Sequence, residues 1–534
     1  MEEFQSGTTA EPQMTPPVLP DTPVAPGQVL YPYPAAKPEK KKWELHSFDL
    51  PFAWIAVLLG FLLMRYAFFY ADGFFTTGCF LLLYFVSALY IRFSGCKPTL
   101  SQRIFGCVIC AFTLVFSLTA SPLLHGLCFC FLLPAIIWRT HAVCGGKGFV
   151  TRFFPFDLGS SGIAKPIQHF TAGPQAMFSS QKNSAAANTV KHILIGLLVT
   201  IPLTIVVGIL LASADSGIAD MFEFLSDLPD IEIGEIFWQV VFGIPLGIWL
   251  FAILYSAAKR KEQPFPVDAF YEGKLAALRM IPNAGLYAGV TPICLLYLAY
   301  VISQTNYFLS AFAGRLPEGM IYSEYARRGF FELCAIAVIN LLVILVLTGC
   351  AKKGGADRPK LLTVYAVTLC IFTLFIIATA LAKMVLYIHA YGMTQLRVFT
   401  TWFMVLLAGV FLVLLLRQFT AKLPTAAVLT GAFIVMFAGL CFSRPDARIA
   451  DYNLRRCAEG TLKDMDIGML CDLSEDAYNV MAQNRKLLEQ EGLWDYFLEK
   501  AEMKTDYEYG SDQYRKWNMS AQILLQQLHT DTTR

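Results

Sequence analysis

Leu-Leu-Thr-Val-Tyr-Ala-Val-Thr-Leu-Cys-Ile-Phe-Thr-Leu-Phe-Ile-Ile-Ala-Thr-Ala-Leu-Ala-Lys-Met-Val, residues 361–385, carries one charged side chain, Lys383, in an otherwise uncharged and mostly apolar run. About 20 such residues in a helix cross a hydrocarbon core about 30 Å thick. Lipid offers the backbone no hydrogen-bond partner, so a run of this kind must be helical. Ten other stretches between Phe52 and Ser443 read the same way, near 52–71, 73–91, 104–120, 122–138, 191–212, 236–257, 284–303, 329–350, 398–416 and 425–442. A transmembrane β-barrel would instead show alternating segments of about ten residues. The sequence therefore predicts an all-α, polytopic transmembrane bundle of about 11 spans over 51–443.

Composition agrees. The 534-residue chain is 56% hydrophobic and 15% charged, against about 25% charged in soluble domains. A net charge of +2 gives no case for a nucleic-acid partner. Most of the 14 cysteines lie inside apolar runs, where Cys107-x-x-Cys110 stacks two small side chains on one helix face. Cys457 and Cys471 lie in the polar tail and are candidates for pairing if oxidised, which spacing alone does not establish.

Residues 1–50 form a proline-rich arm, expected to be disordered, whose Tyr31-Pro32-Tyr33-Pro34 is more a tether than a docking motif. No apolar h-region precedes Phe52, so the first span is expected to direct insertion. Residues 139–190 form a long connector in which Phe149, Phe153, Phe154, Phe156, Ile163, Ile167 and Phe170 mix with Arg152, Lys165 and glycines. That mix suits a segment in the headgroup plane or one packed under the bundle. Residues 444–534 hold 12 Lys or Arg and 17 Asp or Glu and show helix-spaced apolar positions. They read as four or five short amphipathic helices, with Ser474-Glu475-Asp476 as an N-cap and acidic first turn.

Orientation follows from Lys and Arg, which cytoplasmic loops retain. With the Lys37–Lys42 cluster inside, inner loops hold 24 basic residues and outer loops hold Arg315, Arg327, Arg328 and Arg397. This predicts N-in/C-out, with an extracytoplasmic tail. The loop 215–235 has seven carboxylates and no Lys or Arg. Its spacing matches no calcium loop, so a solvated acidic turn is the simpler reading.

Ionisable residues inside spans cost about 2.5–3.5 kcal/mol by insertion scales and mark functional candidates. Arg65, Glu332, Lys383, His125 and Arg397 all fall in the leaflet assigned as outer, with Asn340 deeper. Tyr325, Arg328 and Glu332 share a helix face, and Tyr387, His389 and Tyr391 follow Lys383. The candidate polar cluster is thus Arg65, Tyr325, Arg328, Glu332, Asn340, Lys383, His389, Tyr391 and Arg397. In one reading, Glu332 pairs with Arg65 or Lys383 in an outward-opening cavity whose surplus positive charge receives an anion. In the other, these side chains snorkel to the headgroups or form a structural ion pair. Pro202, Pro245 and Pro292 interrupt three spans, and Gly243 and Gly247 form a GxxxG. Broken helices occur in transporters, whereas GxxxG more often means close packing.

Three segments resemble the domain-of-unknown-function 4153/4173 family of bacterial polytopic membrane proteins. They are Tyr322-Ser-Glu-Tyr-Ala-Arg-Arg-Gly-Phe-Phe-Glu332-Leu with Ile339-Asn340-Leu; Tyr387-Ile-His-Ala-Tyr391-Gly-Met-Thr-Gln-Leu-Arg397 with Trp402; and Arg444-Pro-Asp446-Ala-Arg-Ile-Ala-Asp-Tyr452-Asn453-Leu. The resemblance implies a bacterial plasma-membrane protein. It puts weight on Tyr325, Arg328, Glu332, Asn340, Tyr391, Arg397, Asp446 and Asn453, and it brings no agreed activity.

No HExxH, GxSxG, P-loop or GxGxxG is present, and no catalytic residue, metal ligand or cofactor is assigned. Embedded charge and proline-broken spans favour a permease-like protein for a small anionic solute. The alternatives are a non-catalytic sensor or assembly protein acting through its tail, and a lipid- or envelope-modifying enzyme. The expected partners are the bilayer and either a small solute or a protein.

Overall fold

The computed structural model describes residues 44–69, 73–145, 150–151, 153–178, 233–262, 267–279, 282–303, 330–351, 360–420, 422–462, 465–509 and 517–532. Residues 1–43 of the expected arm (1–50), the fifth span (191–212) with Pro202, and most of the acidic loop lie outside the described residues. No strand occurs among the described residues. From Leu45 onward the chain forms one compact unit.

The first half runs α1 (Asp49–Leu63, continued by a π-helical stretch Met64–Phe69), α2 (Gly73–Phe93), α3 (Leu100–Thr113), α4 (Val115–Leu118) and α5 (Pro122–Cys144). Three short helices follow in the connector, α6 (Phe154–Gly159), α7 (Lys165–Gln168) and α8 (Ala172–Phe178). The second half has α9 (Ile233–Glu262), α10 (Val267–Leu278), α11 (Asn283–Ser303), α12 (Phe330–Cys350), α13 (Lys360–Tyr391), α14 (Gln395–Phe419) and α15 (Thr425–Phe442). The tail has α16 (Pro445–Ala458), α17 (Ile467–Cys471), α18 (Glu475–Gln483), α19 (Arg485–Gln490), α20 (Trp494–Tyr509) and α21 (Met519–Thr532). Among the described residues that is six helices rather than four or five, because α17 and α19 are single turns too short to show periodicity.

Nine helices among the described residues are long and apolar enough to cross a membrane. In α12, the expected eighth span, the counted apolar stretch Cys334–Cys350 is shorter. Pro245 and Pro292 do not end their helices, since α9 and α11 run continuously through them. The GxxxG is a packing device. A Cβ on Gly247 would lie 2.4 Å from the Val57 Cα, and one on Gly60 would lie 2.2 Å from the Gly243 carbonyl oxygen. Bare glycine is what lets the α1 and α9 backbones meet.

The connector packs against α1 and α9, with Ala172 and Ala176 fully buried. Its Phe156, Ile163 and Ile167 stay exposed. One face of the connector thus packs on the bundle, and the other carries exposed apolar side chains.

Helices α11 to α14 share a second core built on Val290, Ala337, Ile344, Leu369, Cys370 and Phe411. Helix α15 joins the halves. Its Phe437 stacks on Phe112 of α3 at 5.2 Å, and Cys441 Sγ lies 3.6 Å from Cys128 Sγ of α5. The tail has its own core around Leu454, Leu470, Tyr478, Met481, Phe497 and Leu524. It meets the bundle at the start of α2, where the Phe74 N–H donates to the Trp517 carbonyl at 2.9 Å, and at the end of α4. Arg92, Arg103, Arg139, Lys360 and Arg417 belong to the opposite ends of the helices that run to the tail.

Candidate functional site

The residues singled out by charge burial separate into distinct places. Arg65 sits in the π-helical stretch after α1 and donates to the Gln239 side chain of α9 at 3.2 Å. A π turn re-aims side chains and is frequent at functional positions. Lys383 lies on α13 and is only 5% exposed, beside the core shared by α11 to α14. Arg65 thus bonds to α9, whereas Lys383 lies on α13 of the other helix cluster. Tyr325 and Arg328 lie outside the described residues; Glu332 falls within α12, but its side chain lies outside them.

Asn340 is fully buried and tied on two sides. Its Oδ1 accepts from the Tyr297 hydroxyl of α11 at 2.6 Å, and its Nδ2 donates to Thr373 Oγ1 of α13 at 2.8 Å. It therefore joins three helices, α11, α12 and α13.

His389, Tyr391 and Arg397 converge where the bundle meets the tail. Helix α13 ends at Gly392, whose φ of 76° lies in the left-handed region that glycine tolerates. Arg397 Nη1 donates to the Tyr391 and Gly392 carbonyls at 3.1 and 2.6 Å, and its guanidinium lies 3.9 Å from the centre of the Tyr387 ring. This cation caps a helix C-terminus, where charge and orphan carbonyls suit it. The His389 carbonyl accepts from Arg456 of α16 at 2.6 Å.

Asn453 of α16 completes this contact. Its Oδ1 accepts from the Met393 N–H and its Nδ2 donates to the Met393 carbonyl, both at 2.8 Å, as a backbone strand would. Asp446 accepts from Gln395 at 3.2 Å and from Ser474 at 2.7 Å. Ser474 does occupy the N-cap position of α18, but its hydroxyl is turned to Asp446.

The centre of the joint is Asp476, in the acidic first turn of α18. It is fully buried. Its carboxylate accepts from Arg444 Nε at 2.9 Å and Nη2 at 2.5 Å, and from the Thr119 and Ser520 hydroxyls. Ser520 Oγ also lies 3.2 Å from the Leu118 carbonyl, and His125 Nε2 lies 2.9 Å from the Thr119 carbonyl. One tail carboxylate is thus bonded to the end of α4, to the residue that opens the tail and to α21. Arg444 reaches it from a left-handed backbone, φ 51°, the one positive-φ non-glycine among the described residues. Such strain of about 1–3 kcal/mol persists where surrounding bonds fix it.

Deeper in the tail, Cys471 and Cys457 are both free thiols. Burial raises the thiol pKa of each, with Glu491 adding to the effect at Cys457. Burial also pushes the Tyr478 hydroxyl well up; it donates to the Cys471 carbonyl at 2.8 Å. These groups stay neutral at physiological pH, and Cys471 and Tyr478 belong to the tail core.

The repeated long apolar helices, closed at one end by a bonded helical cap, define a multi-pass membrane protein. Residues 57–484 match the family model "Domain of unknown function (DUF4153)", and the chain belongs to that family. No curated protein and no solved structure matches the chain.

Proposed function

We propose that this protein is a non-catalytic membrane sensor or assembly factor whose helical tail works as a fixed extension of the bundle. The observation that carries this reading is the Asp476 joint. A fully buried carboxylate shared by α4, Arg444 and α21 is a costly way merely to tether a tail. It suits a domain whose position must follow that of the membrane helices. Two of the family-like positions, Asp446 and Asn453, bond across the same seam between bundle and tail. The Lys and Arg count makes the tail side extracytoplasmic, in a bacterial cytoplasmic membrane, with an envelope protein as partner.

A second reading, the permease for a small anionic solute, is favoured by one observation. Lys383 and Asn340 are both buried among α11 to α14, where embedded polar groups mark ion or solute paths. Impermeant-thiol labelling in a cysteine-depleted background separates the two. Single cysteines at Arg65, Glu332, Asn340 and Lys383 should stay silent from both sides if the bundle is a dry scaffold. Labelling of Asn340→Cys overturns the scaffold reading in favour of the permease.

A further inference from the structure

The end of the bundle opposite the tail holds a cavity of about 390 Å³ between the end of α2, the start of α3 and the end of α5. Arg92, Lys97, Arg103 and Arg139 line it, and no carboxylate does. Among the described residues none of the four forms an ion pair. Four like charges around one space repel each other and favour an anion between them.

The local structure builds this site. Helix α2 ends with the Cys96 N–H donating to the Ile91 carbonyl at 3.1 Å and the Gly95 N–H to the Arg92 carbonyl at 3.0 Å, with Gly95 at φ 70°. This double-bonded stop reverses the chain, so that Lys97 returns to the mouth beside Arg92. Helix α3 then starts with the Thr99 N–H donating to the Gln102 side chain at 2.9 Å. The buried Gln102 also donates to the Ala142 carbonyl at 3.1 Å, and its own carbonyl accepts from Arg139 Nε at 3.2 Å. The Arg139 guanidinium stacks 4.7 Å from the centre of the Tyr84 ring.

Arg139 is therefore fixed through Nε and one face, at 6% exposure. Its two Nη groups have no hydrogen-bond partner among the described residues. The idle donors open to the cavity, where an oxyanion acceptor can meet them. A guanidinium fork matches the oxygens of a phosphate, which two donors can hold together. Ile104 of α3, 57% exposed and next to Arg103, adds apolar surface beside the mouth. That surface suits acyl chains. Basic pockets between transmembrane helices receive acidic headgroups in this way.

We propose that this cavity binds the phosphate of an acidic phospholipid, with Arg139 at its base and Arg92, Lys97 and Arg103 at its mouth. The chemistry recognised is a phosphate oxyanion, and the exposed Ile104 beside the mouth favours a membrane source over a soluble one. The site is independent of the tail joint and of any transport path.

Native mass spectrometry of the full chain, titrated with phosphatidylglycerol or phosphatidylcholine, tests this. One tightly retained phosphatidylglycerol, displaced little by millimolar inorganic phosphate, is expected. Each mouth charge contributes about fivefold in affinity, so Arg92→Gln with Arg103→Gln should weaken binding about 25-fold. These two side chains are exposed, so the double variant is expected to fold. Arg139→Lys, which keeps the charge but loses the fork, should weaken it further. Arg455→Gln, an exposed charge on the tail, is the control and should change nothing. Equal retention of the two lipids, or an equal loss in Arg455→Gln, overturns the proposal. Displacement by inorganic phosphate at the affinity of the lipid overturns the lipid assignment in favour of a soluble phosphate.

Discussion

Replacing Asp476 with alanine should release the tail from the bundle. The carboxylate is fully buried and holds Arg444, Thr119 and Ser520. Its loss leaves the buried Thr119 hydroxyl without that acceptor, whereas Ser520 retains the Leu118 carbonyl. Arg444 is 41% exposed and can regain water on its outer side, which lowers the penalty. Removing one partner of a fully buried pair costs about 3–5 kcal/mol. Rehydration of Arg444 places this case near the lower figure, about 3 kcal/mol. At about 1.4 kcal/mol per factor of ten, the undocked population rises roughly 150-fold. Amide hydrogen exchange in nanodiscs reads this directly. Amides of α18 and α21 should exchange about 100-fold faster, while those in the middle of α13 keep their protection. Arg444→Gln added to Asp476→Ala should cost little more, giving a coupling above about 1 kcal/mol in a double-mutant cycle. An acceleration below about threefold in α18 would refute the reasoning, because the carboxylate would then contribute no more than a surface ion pair.

Gly247→Val forces apart two backbones that now touch, since even a Cβ there meets the Val57 Cα at 2.4 Å. A stability loss of about 3 kcal/mol or more is expected by thermal unfolding in detergent, and Gly289→Val, where a Cβ meets open space, serves as the tolerated control. Gly392→Ala combines a strained φ of 76° with a Cβ 2.4 Å from Asn453 Oδ1. It should loosen α16 by about 2 kcal/mol, seen as faster proteolysis of the tail. Alkali should unfold the tail before the bundle. Burial raises the folded pKa values of Cys471 and Tyr478 above their ordinary 9.0 and 10.0. Their contribution is therefore complete below pH 9 and falls as pH rises beyond it. Tyrosinate absorbance and tail amide exchange should change together above that pH. Iodoacetamide should leave Cys471 unmodified at pH 8 in the folded protein, because the reactive thiolate is suppressed by burial.

Hydrophobicity alone determined the helical class and most span positions. A lipid solvent leaves the backbone no other arrangement, so runs such as 361–385 and 425–442 identify their helices without any knowledge of neighbours. The Gly243–Gly247 spacing also announced a close approach, although not that Gly60 would meet it. The sequence picked out Arg397 and Asn340, but not that Arg397 caps the end of α13 or that Asn340 ties three helices. Nor did it single out Asp476, since an acidic first turn on a short helix normally faces water. Only the tertiary arrangement brings residues 119, 444, 476 and 520 together, and only it gathers Arg92, Lys97, Arg103 and Arg139 around one cavity. Solvent preference is a property of each segment and is written locally. Partnership between polar groups depends on which helix ends coincide, and that is settled by packing across hundreds of residues of chain.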